Sequence, residues 1–99
     1  MQIKYISVEL KNELENLKII KRKYGKDINQ ALKKFKDRIR VSTDIGHLIR
    51  TNRGMRIEKV KTSSDEWKAR LNKKWRVHFR LNNEIINAIE IIRIHKHEY

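Results

Sequence analysis

The sequence predicts an α+β domain in which a helical hairpin packs on a mostly antiparallel sheet. Two changes of pattern lead to this fold class. Apolar residues recur at intervals of three and four between Val8 and Val41, as on one face of an α-helix. They alternate with charged residues between Glu66 and Leu81, as in half-buried strands. A length of 99 residues fits one domain, so residues 1–99 are treated as a single unit.

The first predicted elements are a short strand and a long helix. The strand covers residues 2–7, and Ser7 is suited to cap the helix that follows. This helix runs from Val8 to about Tyr24 and ends at Gly25. Its apolar stripe consists of Leu10, Leu14, Leu17 and Ile20.

A second helix completes the hairpin. Asp27 is expected to cap it, and it ends near Val41. Its apolar stripe consists of Ile28, Ala31, Leu32, Phe35 and Ile39. Residues 42–54 are rich in Ser, Thr, Asp, Asn and Gly and therefore predict a connection, with room for a helical turn at 45–49.

Three strands are predicted in the second half of the chain. Residues 66–72 and 74–81 each alternate apolar with basic residues, and Trp67 and Trp75 fall on the apolar side. Asn82 and Asn83 suit a two-residue hairpin turn. The isoleucine-rich segment 84–95 then predicts a central strand that is partly covered on both faces.

The predicted register of the first hairpin brings like charges together. If the tryptophans share the core, the loop has an odd number of residues, which places Arg70 opposite Arg76 and Lys68 opposite His78. Like charges that face each other across a strand pair are unfavourable. The cluster is therefore expected to accommodate something else, such as a bound phosphate group.

The second hairpin extends the basic face. A two-residue turn would place Phe79 opposite Ile86 and Val77 opposite Ala88. The last strand then adds its basic residues to the same side of the sheet. The face collects Lys68, Arg70, Arg76, His78, Arg80, Arg93 and His95.

The charge balance points to a polyanionic partner. The chain has 25 Lys and Arg against 12 Asp and Glu, a formal net charge of +13, which favours nucleic acid and RNA in particular. The lack of cysteine excludes disulfides and thiolate metal sites and suits the cytoplasm. No segment approaches the roughly 20 apolar residues of a membrane span, so no membrane association and no signal-type leader are expected.

Four segments of the chain resemble a known family. Residues 56–61, 67–71, 75–79 and 93–95 are similar to motifs of the RelE/ParE toxin superfamily, in particular its HigB-like and YoeB-like branches. The resemblance implies a β-α-α-β-β-β fold and the toxin of a type II toxin–antitoxin system. It also implies a metal-independent endoribonuclease without a cofactor that cleaves mRNA in the ribosomal A site and binds a cognate antitoxin protein.

The resemblance also implies site residues. Arg76 takes the place of the arginine that holds the scissile phosphate. Glu58 and Lys61 are alternative general bases, and His95 and His97 are alternative general acids, with Lys61 and His95 at the family's lysine and terminal-histidine positions. The catalytic set is thus Glu58, Lys61, Arg76 and His95. The expected RNA-binding residues are Arg56, Lys68, Arg70, His78, Arg80, Arg93, His97 and Tyr99.

These residue types suit cleavage by the ribose 2′-hydroxyl. A base removes the hydroxyl proton, cations stabilise the charge that develops on the phosphoryl group, and an acid protonates the leaving 5′-oxygen. The spacing of His95 and His97 could also suit a metal, but no third ligand stands at motif spacing, so no metal site is expected. Two alternatives remain at this stage: a non-catalytic nucleic-acid-binding domain, and a ParE-like toxin that targets gyrase.

Overall fold

The computed structural model describes residues 1–63, 65–81 and 88–97. These parts of the chain form four α-helices, a 3₁₀-helix and a five-stranded sheet, which confirms the α+β fold class. The elements are β1 Gln2–Tyr5, α1 Val8–Leu14, α2 Leu17–Tyr24, α3 Lys26–Val41, α4 Ile45–Thr51, the 3₁₀-helix Arg53–Met55, β2 Glu58–Lys59, β3 Glu66–Arg70, β4 Trp75–Leu81 and β5 Ala88–Lys96.

The sheet is mostly antiparallel. Its strand order is β1-β5-β4-β3-β2, and β1 pairs with β5 in parallel while the other neighbours are antiparallel. The helices cover one face, where Phe35 of α3 meets Phe79 of β4 with ring centroids 5.6 Å apart. Tyr24 of α2 packs edge-on against Trp75 at 4.9 Å. Both tryptophans are half-buried against this core, as their apolar phase predicts.

The long first helix of the prediction is two helices. Ser7 caps α1 as expected, because its hydroxyl accepts a hydrogen bond from the Leu10 amide at 3.0 Å. The helix stops at Leu14, and Asn16 then caps α2 by accepting from the amides of Lys18 and Ile19 at 3.0 and 3.3 Å. The apolar stripe continues across the break, so periodicity alone could not reveal it.

The second helix begins two residues earlier than predicted. Gly25 is its N-cap, with no side-chain hydrogen bond, so Asp27 lies inside the first turn. The same glycine ends α2 and has φ 97°, a conformation that favours glycine over residues with a Cβ. The connection after α3 holds a full helix, α4, in place of a single turn, since Asp44 caps it by accepting from the His47 amide at 2.8 Å.

The register of β3 against β4 is confirmed. Arg70 pairs with Arg76 and Lys68 pairs with His78, as the odd loop requires. A further short strand, β2, lies at the outer edge of β3, where Glu58 pairs with Lys68. This strand adds to the β-α-α-β-β-β order that the family resemblance implies.

The predicted register of β4 against β5 is wrong. Phe79 pairs with Ile91 and Val77 pairs with Ile94, not with Ile86 and Ala88, because Leu81 meets Ile89 and the connection is longer than a two-residue turn. The predicted turn at 82–83 and the first part of the predicted strand lie outside the described residues.

β5 is a central strand, as predicted, and its buried residues include Ala88 on the charged face as well as isoleucines on the helix-covered face. The pairing shifts between His78 and Phe79, so that His78 meets Arg93 while Phe79 meets Ile91. The residue between them, Ile92, is the extra residue of a β-bulge. The bulge lets both Ile91 and Ile94 reach the core, which accounts for part of the near-continuous apolar run.

None of the helices in the described residues combines the length and the apolar character that crossing a membrane requires.

Candidate nucleic-acid interface

The sheet face opposite the helices carries charged side chains in rows that cross the strands. Directly paired residues on this face are neighbours, so each row can be followed from strand to strand. We call them the compensated row (Glu66, Arg80, Glu90 and Lys4), the mixed row (Glu58, Lys68, His78 and Arg93) and the arginine row (Arg70, Arg76 and His95). The predicted basic residues of β3, β4 and β5 do share one face, including Arg93 and His95 with Arg76.

The compensated row balances its own charges. Glu66 pairs with Arg80 across β3 and β4, and Arg80 pairs with Glu90 across β4 and β5. Arg80 Nε lies 2.9 Å from Glu90 Oε1, an ion pair without the angle of a hydrogen bond, and Arg80 Nη1 lies 3.9 Å from Asp65 Oδ2. The carboxylates of this row therefore neutralise Arg80, which the sequence placed among RNA-binding residues.

The mixed row is organised by Glu66, which reaches into it from the neighbouring row. Glu66 Oε2 accepts a hydrogen bond from Arg93 Nη2 at 2.6 Å and lies 2.8 Å from Nδ1 of His78. At the other end of the row, Lys68 Nζ lies 3.4 Å from Glu58 Oε1. Every cation of the mixed row thus has a carboxylate beside it.

The protonation states of Glu66 and His78 follow from these contacts. Burial lowers the pKa of His78 below 6.5 and outweighs the hydrogen bond with Glu66, which acts in the opposite direction. Burial on its own would raise the pKa of Glu66. The hydrogen bond with His78 and the charge of Arg93 lower that pKa by more, so the net shift is downward. At neutral pH the histidine is therefore neutral, donates from Nδ1 to an ionised carboxylate and leaves Nε2 as an acceptor.

The arginine row brings two arginines and a histidine together. Arg70 pairs with Arg76, and Arg76 pairs with His95 on the other side. Arg76 Nη1 donates to the carbonyl oxygens of Asn72 and Trp75 at 2.6 and 3.1 Å, so the turn after β3 holds the guanidinium in place. The imidazole of His95 packs edge-on against His78 with ring centroids 5.6 Å apart. Positive charge is thus concentrated at this end of the sheet.

His97 extends the arginine row at the same end. Its backbone amide donates to the Lys74 carbonyl oxygen at 2.6 Å, which continues the pairing of β4 with β5. Partial burial and the charges of Arg76, Lys68 and Arg70 lower the pKa of His97, while Glu58 acts to raise it. The charges of Arg76 and Glu58 therefore both act on the His97 imidazole.

The remaining predicted site residues lie apart or outside the description. The Val60 amide donates to the Glu66 carbonyl oxygen, so Lys61 follows β2 at the end of the compensated row, away from Arg76. Arg56 is exposed, with φ 48° in the left-handed region, two residues before β2. Tyr99 lies outside the described residues. The structure therefore brings Glu58, Arg76, His95 and His97 to one face but not Lys61.

Glu66 is the site residue that the sequence reasoning missed. It holds both His78 and Arg93, and its side chain is largely buried. The signal was present, because the odd loop that pairs Arg70 with Arg76 also places Glu66 opposite Arg80 on the charged face. The sequence argument about like charges concerns cations alone, and it therefore does not predict the carboxylates of that face.

The described residues contain no group of three His, Asp or Glu side chains arranged to hold a metal ion. Comparison of the chain with protein-family models, with curated proteins and with solved structures found no match.

Proposed function

We propose that the protein is the toxin of a type II toxin–antitoxin system and cleaves mRNA on the ribosome as a metal-independent endoribonuclease. One observation carries the proposal. Strand pairing brings Arg70, Arg76 and His95 side by side on the open sheet face, with Arg70 directly opposite Arg76 and Arg76 directly opposite His95. The position of these residues agrees with the phosphate-binding role that the family resemblance gives to Arg76.

The direct pairing of two arginines supports a phosphate ligand. Like charges in direct cross-strand pairs are unfavourable, and a sequence that keeps them is accommodating an anion there. A guanidinium pair presents forked donors that match phosphate oxygens.

The strand order supports in-line cleavage. Glu58 lies on β2 and His95 on β5, so a base and an acid stand on opposite sides of the arginines of β3 and β4. In the proposed reaction Glu58 takes the proton from the 2′-hydroxyl, whose oxygen attacks the phosphorus. The bond from phosphorus to the 5′-oxygen breaks, and His95 donates a proton to that oxygen. The products carry a 2′,3′-cyclic phosphate and a 5′-hydroxyl.

The positions of Lys61 and His97 bear on which residues act as the base and the acid. Lys61 lies at the far end of β2, which favours Glu58 as the base. His97 shares the electrostatic environment of Arg76 and Glu58, so it remains a second candidate for the acid. Arg76 and Arg70 stabilise the charge on the phosphoryl oxygens in either case. The cytoplasm and a cognate antitoxin protein complete the proposal.

The proposal is tested with purified protein and mRNA in a translating extract. Cleavage is expected to yield 5′-hydroxyl ends and to disappear when the nucleotide before the cut carries a 2′-deoxyribose, because the nucleophile is then missing. Glu58→Gln and His95→Gln should each slow cleavage by about 10²-fold or more, since each removes one proton transfer. Lys61→Gln is the matched control and should leave the rate within about threefold. Cleavage of the 2′-deoxy RNA at the wild-type rate would rule out this mechanism.

A second candidate is a domain that uses the same face only to bind nucleic acid. The distance of Lys61 from Arg76 favours it, because one residue of the implied catalytic set is then not at the site. This candidate predicts RNA binding that depends on Arg76 together with intact mRNA in the extract.

A further inference from the structure

A cationic groove lies beside the arginine row, where the helices meet the end of β3. Three parts of the chain line it: α3, the segment 51–55 that contains the 3₁₀-helix, and the end of β3. Its volume is about 390 Å³. The groove is rimmed by Lys34, Arg38, Arg53 and Arg70, and its floor is formed by Ala31, Phe35, Met55 and Leu71.

The groove carries an unbalanced charge. None of the described residues that line it is acidic, and in the described parts of the chain none of its four cations forms an ion pair. Elsewhere on the helices such pairs occur, as between Arg40 and Asp37 at 3.4 Å. Four cations around one concave surface repel one another, and an anionic ligand would relieve that repulsion.

The groove is continuous with the arginine row through Arg70. This residue lines the groove and also pairs directly with Arg76. A nucleic-acid strand whose phosphate lies at Arg76 can therefore pass over Arg70 to the groove without crossing a carboxylate among the described residues that line it. The apolar floor suits a ribose or a base, and the rim suits the phosphates on either side of it.

We infer that the cationic groove binds the phosphodiester backbone of single-stranded RNA next to the cleavage point and holds the strand in register with Arg76. The inference rests on the proposed function for the identity of the strand. Lys34, Arg38 and Arg53 contact phosphates in this subsite and take no part in the bond-breaking step.

The test compares two triple variants with the same change in net charge. Lys34→Ala, Arg38→Ala and Arg53→Ala remove the exposed rim, whereas Lys18→Ala, Lys21→Ala and Lys26→Ala remove three exposed lysines near α2. Binding is measured by fluorescence anisotropy across a range of salt concentrations. The probes are a 2′-O-methyl RNA of about 12 nucleotides, which cannot be cleaved, and a dinucleotide that reaches only the arginine row.

The rim variant is expected to bind the longer RNA at least about tenfold more weakly than the control variant. The slope of log K against log salt should fall by about 2, since each lost phosphate contact on a single strand contributes about 0.7. Both variants should bind the dinucleotide equally. Equal weakening of the longer RNA by the two variants, or none by the rim variant, would overturn the inference.

Three further measurements test for folding, for the contribution of a single cation and for a protein ligand. Circular dichroism establishes that each variant is folded, and the single substitution Arg53→Ala should reproduce about one third of the change in slope. A glutamate-rich peptide serves as a competing probe: loss of peptide binding with unchanged RNA binding in the rim variant would assign the groove to a protein partner and overturn the inference. Because these assays measure binding alone, they decide about the groove even where mRNA cleavage is absent.

Discussion

At the scale of single residues, the cations of the charged face differ in which carboxylates lie beside them. Arg80 lies against Glu90, and Arg93 lies against Glu66. Ion pairs of this kind lower the affinity of a cation for any other anion, because the ligand must first displace the carboxylate. Arg80 and Arg93 are therefore expected to contribute less to phosphate binding than an arginine at the scissile phosphate, which is the role proposed for Arg76.

Arg76 and Arg80 form a matched pair for mutagenesis. Both are half-buried arginines of β4 on the same face, four residues apart. Arg76→Ala should reduce mRNA cleavage by about 10²–10³-fold, as expected when one donor to the developing charge is lost. Arg80→Ala should change cleavage by no more than about threefold, because Glu90 already neutralises it. Rates in the translating extract measure both, and equal losses would contradict the distinction between the rows.

Arg76→Lys tests the geometry of the same site. The lysine keeps the charge but has no forked donor group, and it cannot span both turn carbonyls and a phosphate. We expect most of the loss of Arg76→Ala, at unchanged thermal stability. Wild-type cleavage by Arg76→Lys would show that charge alone suffices.

His78 should make the fold sensitive to mild acid. Its pKa is below 6.5 in the folded protein, so the unfolded chain binds a proton more readily as the pH falls. The free energy of unfolding therefore falls on acidification from neutral pH through 6.5 towards the folded-state pKa. His78→Gln should flatten this dependence when urea unfolding is followed between pH 7.5 and 5.5, whereas His47→Gln, at a half-buried position of α4, serves as the control. An unchanged slope in His78→Gln would remove His78 as the cause.

At the scale of elements, side-chain caps decide where the helices break. The apolar stripe from Leu10 to Ile20 predicts one helix, yet Asn16 ends it and starts α2 by accepting two backbone hydrogen bonds. Hydrophobic periodicity reports which face is buried and is insensitive to a break that keeps this face in phase. The sequence therefore predicts the burial of these helices better than their number.

Asn16→Ala should destabilise the protein by about 1 kcal/mol, the typical cost of losing an N-cap. The midpoint of thermal unfolding should fall by about 4–8 °C for a domain of this size. Asn12→Ala is the matched control, since Asn12 is an exposed residue inside α1, where alanine is the better helix former. A control that loses as much stability as Asn16→Ala would contradict the role of the cap.

In the sheet, the apolar pattern predicts the register of one strand pair but not of the next. Alternation in β3 and β4 predicts their register, because only an odd loop places Trp67 and Trp75 on the core side together. The isoleucine run of β5 does not alternate with polar residues, so it does not indicate which residues face the core. The register of β5 depends on the bulge at Ile92 and on a connection longer than two residues. The basic face could be predicted because Arg93 and His95 keep their parity with Arg76.

At the scale of the whole molecule, the excess of positive charge is divided among several surfaces. The net charge of +13 predicts a polyanionic partner but not where it binds. The arginine row and the cationic groove locate that excess, and both depend on contacts between elements far apart in the chain. The pairing of Arg70 with Arg76 could be predicted from the β3–β4 register, whereas the groove between α3 and the 3₁₀-helix could not.

RNA binding should depend steeply on salt. With at least three phosphates contacted along the arginine row and the cationic groove, the slope of log K against log salt for a single strand should be about −2 or steeper. Anisotropy titrations of an uncleavable RNA between low and moderate salt measure it. A flat response would contradict the assignment of the open face to a polyanion.

The most direct test of the proposed nuclease is inducible expression in bacteria of the wild type, Arg76→Ala and His95→Ala, with growth followed and mRNA ends mapped by primer extension. The proposal predicts growth arrest with new in-frame cuts in mRNA for the wild type, and neither arrest nor cuts for the two variants. Arrest without new mRNA ends would contradict mRNA cleavage and point to another target such as gyrase, and growth without arrest would point to a binding domain.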